Sequence, residues 1–163
     1  MLGALMVLSD VVMDVLPNIH FVGLLVVLYT VVYRLKALVP IYVYVFVTGL
    51  YSGFATWWVP YLYVWTVLWG MTMLIPKKIP PTAAKIVYPV VCALHGFAFG
   101  IIYAPGHALI FGYNLEQTVA WIMSGAVFDI THGISNFAAG MLVYPLSLTL
   151  IKLEKKSRYP IIS

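Results

Sequence analysis

The sequence predicts an all-α integral membrane protein with six transmembrane helices and both termini in the cytoplasm. First, 63% of the 163 residues are hydrophobic and only 9% are charged, whereas soluble domains carry roughly 25% charged residues. Second, the chain divides into apolar stretches, the longest of which reach the ~20 residues that a helix needs to cross a bilayer. Third, the lysines and arginines are confined to alternate connections between these stretches.

The predicted spans form one domain over residues 1–163, and each ends where the apolar pattern is interrupted. Proline, glycine and charged residues mark these interruptions, because they favour turns or contact with water. The first span ends before Pro17-Asn18, and the fifth is predicted to end at Ala104, before Pro105-Gly106-His107. The first two spans are short for a bilayer, which predicts tilt. The six predicted spans are residues 2–16, 20–33, 37–53, 59–75, 85–104 and 117–152.

The distribution of cations predicts the orientation of the six spans. Arg34 and Lys36 separate spans two and three, and the remaining cations lie between spans four and five or after span six. These connections all fall on one side of a six-span chain, which the positive-inside rule assigns to the cytoplasm. The net charge of +4 is therefore a topology signal, and nucleic acid is not expected as a partner. The other cations are Lys77, Lys78, Lys85, Lys152, Lys155, Lys156 and Arg158.

Two remaining features bear on the class of protein. The N-terminus has no basic residue before its apolar run and no small-residue cleavage pattern, so a secretory signal peptide is not expected. The single cysteine, Cys92, lies in an apolar run and cannot form an internal disulfide.

Polar residues in the outer half of the predicted bundle suggest a ligand site. Asp129, His132 and Asn136 follow one another at spacings of three and four, which places them on one face of the last helix. Ionisable groups in hydrocarbon are costly and are usually functional. His95 lies midway along span five, and further candidates lie near the outer ends of the other spans. These candidates are Asp14, Trp57, Tyr63 and Tyr103.

Other interpretations of the same residues stay open. Tryptophans near a membrane surface, Trp57 among them, are also typical of aromatic belts. The chain has no His-Glu-x-x-His, Gly-x-Ser-x-Gly or phosphate-loop sequence, so it is not expected to be an enzyme. The four histidines form no local ligand pair, and no metal site is predicted. The alternative function is a small intramembrane enzyme, which could depend on a metal, that uses Asp129, His132 and His95. A third alternative is a membrane scaffold that binds no ligand.

Two stretches are similar to a known family. His95-Gly-Phe-Ala-Phe-Gly-Ile-Ile-Tyr103 resembles a His-Phe-x-Ala-Gly-Ile-Ile-Phe stretch in the fifth helix of thiamin-binding S components, the substrate-specific subunits of energy-coupling factor (ECF) vitamin transporters. Thr131-His-Gly-Ile-Ser-Asn136 resembles their Val-Asn-Gly-Ile-Ser-Gly. The sequence departs from those members at Tyr63, where they carry an acid, and at Ala104, where they carry tryptophan.

The resemblance implies a role in transport. His95 would correspond to a substrate-contacting histidine, His132 would take the place of a substrate-contacting asparagine, and Phe128 lies near a family aromatic. Such a subunit captures a vitamin or related micronutrient outside the cell, at the multi-pass plasma membrane, here of a bacterium. Its partners would be the lipid bilayer, a transmembrane coupling (T) protein and two ATPase subunits. No cofactor is expected in this chain, because the partner subunits would use the ATP.

Overall fold

The computed structural model describes residues 1–16 and 19–158, without the side chains of residues 157 and 158. Within these residues the chain forms helices and no β-strand, so the all-α prediction is confirmed. The predicted break at Pro17-Asn18 lies outside the described residues. The α-helices are α1 (Leu2–Met13), α2 (Val22–Tyr33), α3 (Leu38–Ser52), α4 (Trp58–Met73), α5 (Pro81–Phe97), α6 (Phe99–Phe111), α7 (Leu115–Gly140) and α8 (Val143–Arg158), and a 3-10 turn, Arg34–Ala37, joins α2 to α3.

Two helical stretches of the described chain are long and apolar enough to cross a membrane, namely Val22–Ser52 and Pro81–Phe111. The pair Leu115–Gly140 and Val143–Lys156 passes the same test together, with a bend of 48° between its halves, and brings the number to three. A membrane protein is therefore supported at this coarse level. The six-span topology stays a prediction.

The stretch Val22–Ser52 reverses direction at Arg34. Arg34 has a φ of 55°, which is uncommon for a residue with a Cβ. Its guanidinium donates to the carbonyls of Met73 (2.8 Å) and Ile75 (3.1 Å). Carbonyls at the end of a helix lack partners in that helix and attract cations, so Arg34 caps α4. The two halves, 12 residues in α2 and 15 in α3, are each shorter than the ~20 residues of a typical span.

Side-chain contacts fix the directions of the first helices. The Tyr42 hydroxyl lies 2.8 Å from that of Thr66, and Trp58 donates its Nε1–H to the Val45 carbonyl at 2.8 Å. Residue numbers therefore rise along α3 as they fall along α4, and the two helices are antiparallel. Helix α2 runs parallel to α4, because Arg34 at its end caps the end of α4.

The helix extends beyond the predicted end of the fifth span at Ala104. Helix α6 continues through Pro105 to Phe111. It ends at Gly112, which has a φ of 66°, the left-handed backbone conformation that often follows the last residue of a helix. Proline normally interrupts a helix because it lacks an N–H and crowds the preceding turn. Here the Tyr63 hydroxyl donates to the Tyr103 carbonyl (3.1 Å) and accepts from the Gly106 N–H (3.0 Å). This hydroxyl satisfies backbone groups on both sides of the proline.

The last predicted span, residues 117–152, consists of two helices. Helix α7 begins with a capping box in which Asn114 and Gln117 bond to each other's backbone N–H. The chain then bends by 48° between α7 and α8. Pro145 lies in the first turn of α8, where its missing N–H is tolerated, but it could not continue α7. A proline therefore accounts for the break.

Helix α2 is the central helix of the bundle. Its first nine residues, 22–30, are all buried, and it packs against α1, α4, α5, α7 and α8. A helix that is apolar on every side is expected inside a bundle. Its N-terminal end lies at the cavity that forms the candidate site.

Candidate functional site

A partly enclosed cavity of about 240 Å³ lies between the helices at the N-terminal end of α2. Residues from α1, α2, α3, α4, α5, α6 and α7 reach it, together with one residue of the connection between α1 and α2. Three of the nine predicted site residues, His95, His132 and Asn136, line it. The full lining is Asp10, His20, Val22, Gly23, Tyr44, Tyr61, Trp65, His95, Phe99, His132 and Asn136.

His95 lies at the closed end of the cavity and has no exposed surface. It comes from the last turns of α5, and its Nε2 lies 3.1 Å from the Val64 carbonyl oxygen of α4. Its Nδ1 is buried and has no hydrogen-bond partner in the described part of the chain. A buried polar atom without a partner is uncommon in folded proteins.

Trp65 is the neighbour of His95 in this wall, with ring centroids 5.8 Å apart. Its ring meets Tyr61 edge-on at 5.6 Å and Tyr44 at 6.1 Å. The indole is 7% exposed, and its Nε1 has no hydrogen-bond partner among the described residues. The closed end of the cavity therefore holds two nitrogen atoms that lack partners.

His132 approaches the cavity from α7. Its ring lies 5.1 Å from that of Phe99 and 5.9 Å from that of His20. The Nδ1 of His132 is 4.0 Å from Asp129 Oδ1, beyond hydrogen-bond distance, and has no other partner in the described chain. The histidine is thus a third side chain with unused hydrogen-bonding capacity.

The open end of the cavity carries a carboxylate. Asp10 accepts a hydrogen bond from the Tyr44 hydroxyl at 3.0 Å, and its Oδ1 lies 3.5 Å from Nδ1 of His20. Both Asp10 and His20 are partly exposed. A charged or polar group of a ligand would stay partly hydrated at this end, so its desolvation would cost less free energy here than at the closed end.

Sequence reasoning missed several lining residues. His20, Tyr44, Tyr61, Trp65 and Phe99 were not among the predicted site residues. The aromatic residues sit in stretches so rich in aromatics that no spacing separates lining residues from packing residues. Phe99 offered a signal, because it lies one turn after His95 and therefore on the same side of the chain.

Asp129 does not line the cavity. Both of its carboxylate oxygens lie 3.0 Å from the Gly100 N–H, in the first turn of α6. N–H groups in the first turn of a helix lack helical partners, and an acid there also meets the positive end of the helix dipole. Asp129 therefore caps a helix that begins at the break after Ala98.

The other five predicted site residues also lie outside this cavity. Tyr63 is bonded to the backbone of α6, and the Tyr103 hydroxyl donates to the Trp57 carbonyl at 3.0 Å. Phe128 is 55% exposed on the outer face of α7. Asp14 lines a separate cavity of about 50 Å³, which Asp10 also reaches.

The histidines do not assemble into a metal site within the described residues. No group of three or more His, Cys, Asp or Glu side chains is placed to hold a metal ion there. The lining residues offer hydrogen bonding, ring stacking and, at the open end, the carboxylate of Asp10.

The comparisons with known proteins give no family for this chain. No protein-family model matches it, and no curated protein or solved structure matches it either. The resemblance to S components therefore stays a prediction that rests on the two sequence stretches.

Proposed function

We propose that this chain is the substrate-binding membrane subunit of an ECF-type importer, which captures a vitamin or related micronutrient outside the cell. The observation that carries the proposal is the cavity that His95 and His132, one from each of the two stretches that resemble the family, both line. Small-molecule sites are typically apolar clefts with a few polar groups that fix orientation. Aromatic rings and a few polar atoms make up this one.

The proposal places the chain in the bacterial plasma membrane with six passes. These passes are α1, α2, α3, α4, the pair α5 and α6, and the pair α7 and α8. Helix α2 supports the orientation, because it begins at the cavity and ends at Arg34 among the cations, about 18 Å away at 1.5 Å per residue. The cations mark the cytoplasmic side, so the cavity would open toward the outside.

In this proposal the energy comes from other subunits. A transmembrane coupling protein and two ATPases would join the chain and use ATP, and no cofactor is assigned to the chain itself. The sequence contains no phosphate-binding loop, which suits this division of labour. The bilayer would cover the outer faces, where apolar residues such as Val127, Ile134 and Leu148 are exposed.

Native mass spectrometry of the gently purified chain tests the proposal. We expect a co-purified small molecule on the wild-type chain, and its loss from His95→Phe and from His132→Phe. His107→Phe is the matched control, because His107 stacks on Trp121 at 4.5 Å and does not line the cavity. Retention of the molecule in all three variants, or uptake that is unchanged in the His95/His132 double variant, would contradict the proposal.

The alternative function, an intramembrane enzyme using Asp129, His132 and His95, has weaker support. The carboxylate of Asp129 accepts from the Gly100 N–H and does not line the cavity that His95 and His132 share. A hydrolytic activity with stoichiometric zinc, both lost in His132→Ala, would favour the enzyme over the importer subunit.

A further inference from the structure

We propose that the groove between α1, α2 and α8 binds an anionic phospholipid, with an acyl chain in the groove and the headgroup against Lys152 and Lys156 of α8. The groove is separate from the cavity that His95 and His132 line. The inference requires that the chain lies in a membrane, but it does not depend on the importer function.

The groove has a volume of about 210 Å³. Helices α1 and α8 both pack on α2 and form its two walls. Its floor consists of Leu25, Leu28 and Tyr29 of α2, none of which is more than 7% exposed. The wall residues Leu5 and Leu153 are 48% and 59% exposed. A buried floor between exposed walls is a cleft that a neighbouring lipid can enter from the bilayer.

The lining offers a hydrocarbon chain an apolar surface whose polar groups are already satisfied. Its two hydroxyl groups are bonded within the fold. Tyr29 donates to the Leu2 carbonyl at 3.4 Å, and Thr149 donates to the Pro145 carbonyl at 3.2 Å. No described lining residue is charged. A polar ligand would lose its hydration here without gaining hydrogen bonds, whereas an acyl chain has no such hydration to lose.

The wall that α8 contributes is a continuous stripe. Leu146, Thr149, Leu150 and Leu153 line the groove, and residues three and four apart lie on one face of a helix. From Leu146 to Lys156, α8 rises about 15 Å at 1.5 Å per residue, which is half of the ~30 Å hydrocarbon core of a bilayer. The stripe is therefore long enough to follow an acyl chain through one leaflet to its headgroup.

Lysines continue this stripe toward water. Lys152 and Lys156 follow Thr149 by three and seven residues, so they lie on the same side of α8 as Thr149, and both are exposed. Lys156 is one turn beyond Leu153, the last α8 residue of the described lining. The long stem of a lysine lets its ammonium group reach the headgroup level. The headgroup of a lipid in the groove would thus meet two ammonium groups.

The last turns of α8 lie at the cationic end of the bundle. Tyr33, next to Arg34, donates to Glu154 at 2.8 Å, which places this turn of α8 level with the end of α2. The bond also directs Glu154 toward α2, while Lys152 and Lys156 lie on the other side of the stripe. Basic residues beside membrane helices attract anionic headgroups. A zwitterionic headgroup has no net charge, so selectivity for an anionic lipid follows.

Native mass spectrometry of the chain released from nanodiscs tests the inference. The nanodiscs contain equal amounts of phosphatidylglycerol, which is anionic, and phosphatidylethanolamine, which is zwitterionic. We expect a lipid to be retained on the monomeric wild-type chain, with phosphatidylglycerol favoured on the order of tenfold because two lysines contact its headgroup.

Replacing the lysines tests the role of charge. Lys152→Gln together with Lys156→Gln removes the charge beside the groove, and the ratio of the two retained lipids should fall to near one. Lys77→Gln together with Lys78→Gln is the matched control. It removes the same charge from the connection between α4 and α5, whose described residues do not line the groove, and it should keep the preference.

Filling the groove tests the role of shape. Leu146→Trp narrows the groove and keeps both lysines, so the retained lipid should be lost. Leu148→Trp is the control on the same helix, because Leu148 is 45% exposed and does not line the groove.

Three results with the wild-type chain would each overturn the inference: equal retention of the two lipids, no retained lipid, or a dimer of the chain in place of the lipid. An unchanged preference in the Lys152/Lys156 double variant, or full retention in Leu146→Trp, would do so as well. The wild-type comparison needs no variant, so a variant that fails to fold leaves the test decisive.

Discussion

At the scale of single residues, polar side chains that look alike in the sequence have different tasks. His95 and His132 keep a nitrogen without a partner beside the cavity. Asp129, one helical turn before His132, has both oxygens on a backbone N–H. Tyr63 similarly serves the backbone around Pro105. Two of the predicted site residues are thus hydrogen-bond partners that allow the irregular helix α6 to form.

Replacement of Asp129 tests its capping role. Asp129→Ala leaves the buried Gly100 N–H without an acceptor, and we expect a loss of about 1–3 kcal/mol in unfolding free energy. Asp129→Asn keeps a neutral acceptor oxygen and should lose less. Thermal unfolding in detergent, followed by circular dichroism, measures both. The control on the same helix is Thr131→Val, because the Thr131 hydroxyl donates to the Val127 carbonyl of that helix.

The opposite result would restore the role that the sequence predicts for Asp129. If Asp129→Asn left the unfolding temperature unchanged but removed the co-purified molecule, the carboxylate would contact the substrate. Loss of stability with the molecule retained identifies it as a cap.

At the scale of helices, close packing of α5 and α7 builds the deep wall of the cavity. This is the most extensive helix pair in the chain, and glycines occupy its contact line. A Cβ added at Gly96 would lie 2.7 Å from the His132 carbonyl oxygen, and one at Gly140 would lie 2.7 Å from Cα of Pro89. Gly133 sits against the Phe97 ring. Small residues at these positions let two backbones approach, as in many membrane helix pairs.

Gly96→Ala should separate these helices. The obstructing atoms belong to the backbone of α7 and cannot move alone, so we expect a cost of about 1–3 kcal/mol from overpacking. Gly125→Ala is the matched control on α7, because nothing lies within 4 Å of its added Cβ and alanine is the better helix former by ~1 kcal/mol.

Unfolding temperatures in one detergent distinguish the two glycine variants. Gly96→Ala should unfold at a lower temperature and Gly125→Ala at the same or a higher one. A stable Gly96→Ala that keeps its ligand would show that α5 and α7 do not depend on this contact.

At the scale of the whole molecule, the two ends of the bundle differ in character. Arg34 caps α4 at one end, where Lys77 and Lys78 follow. The cavity lies at the other end of α2, beside the connection that contains His20. The central, fully apolar α2 separates these ends. In the proposed importer subunit, the cationic end would face the cytoplasm and the end with the cavity would face outward.

Cysteine labelling from each side of the membrane tests this orientation. In a Cys92→Ala background, Lys36→Cys and Lys78→Cys should react only with a reagent admitted to the cytoplasm, and Glu116→Cys only with one added outside. All three positions are exposed in the fold. Labelling of Lys36→Cys and Lys78→Cys from opposite sides would rule out the six-pass topology.

The sequence by itself determined the helical class and the approximate helix ends, and it predicted two of the histidines that line the cavity. The helical class and the helix ends can be predicted from local sequence. Apolar runs favour helices, and the prolines, glycines and cations between them favour turns or contact with water. The motif around His95 and the spacing of His132 and Asn136 were also visible, since both lie within single helices. The structural effects of Pro105 and Pro145 were not predicted. Pro105 lies inside α6, where Tyr63 of another helix bonds to the neighbouring backbone, and Pro145 follows the bend between α7 and α8.

Only the tertiary structure decided which polar and aromatic residues surround the cavity. Trp65, Tyr44 and Phe99 come from three helices far apart in the chain, and their convergence depends on the reversal at Arg34 and on the close approach of α5 and α7. Asp129 lies outside the cavity for the same reason, since the Gly100 N–H is available to it only because α6 starts a new helix there. The sequence of each helix shows the chemistry of its side chains, but the packing of the helices determines which hydrogen-bond partners those side chains have.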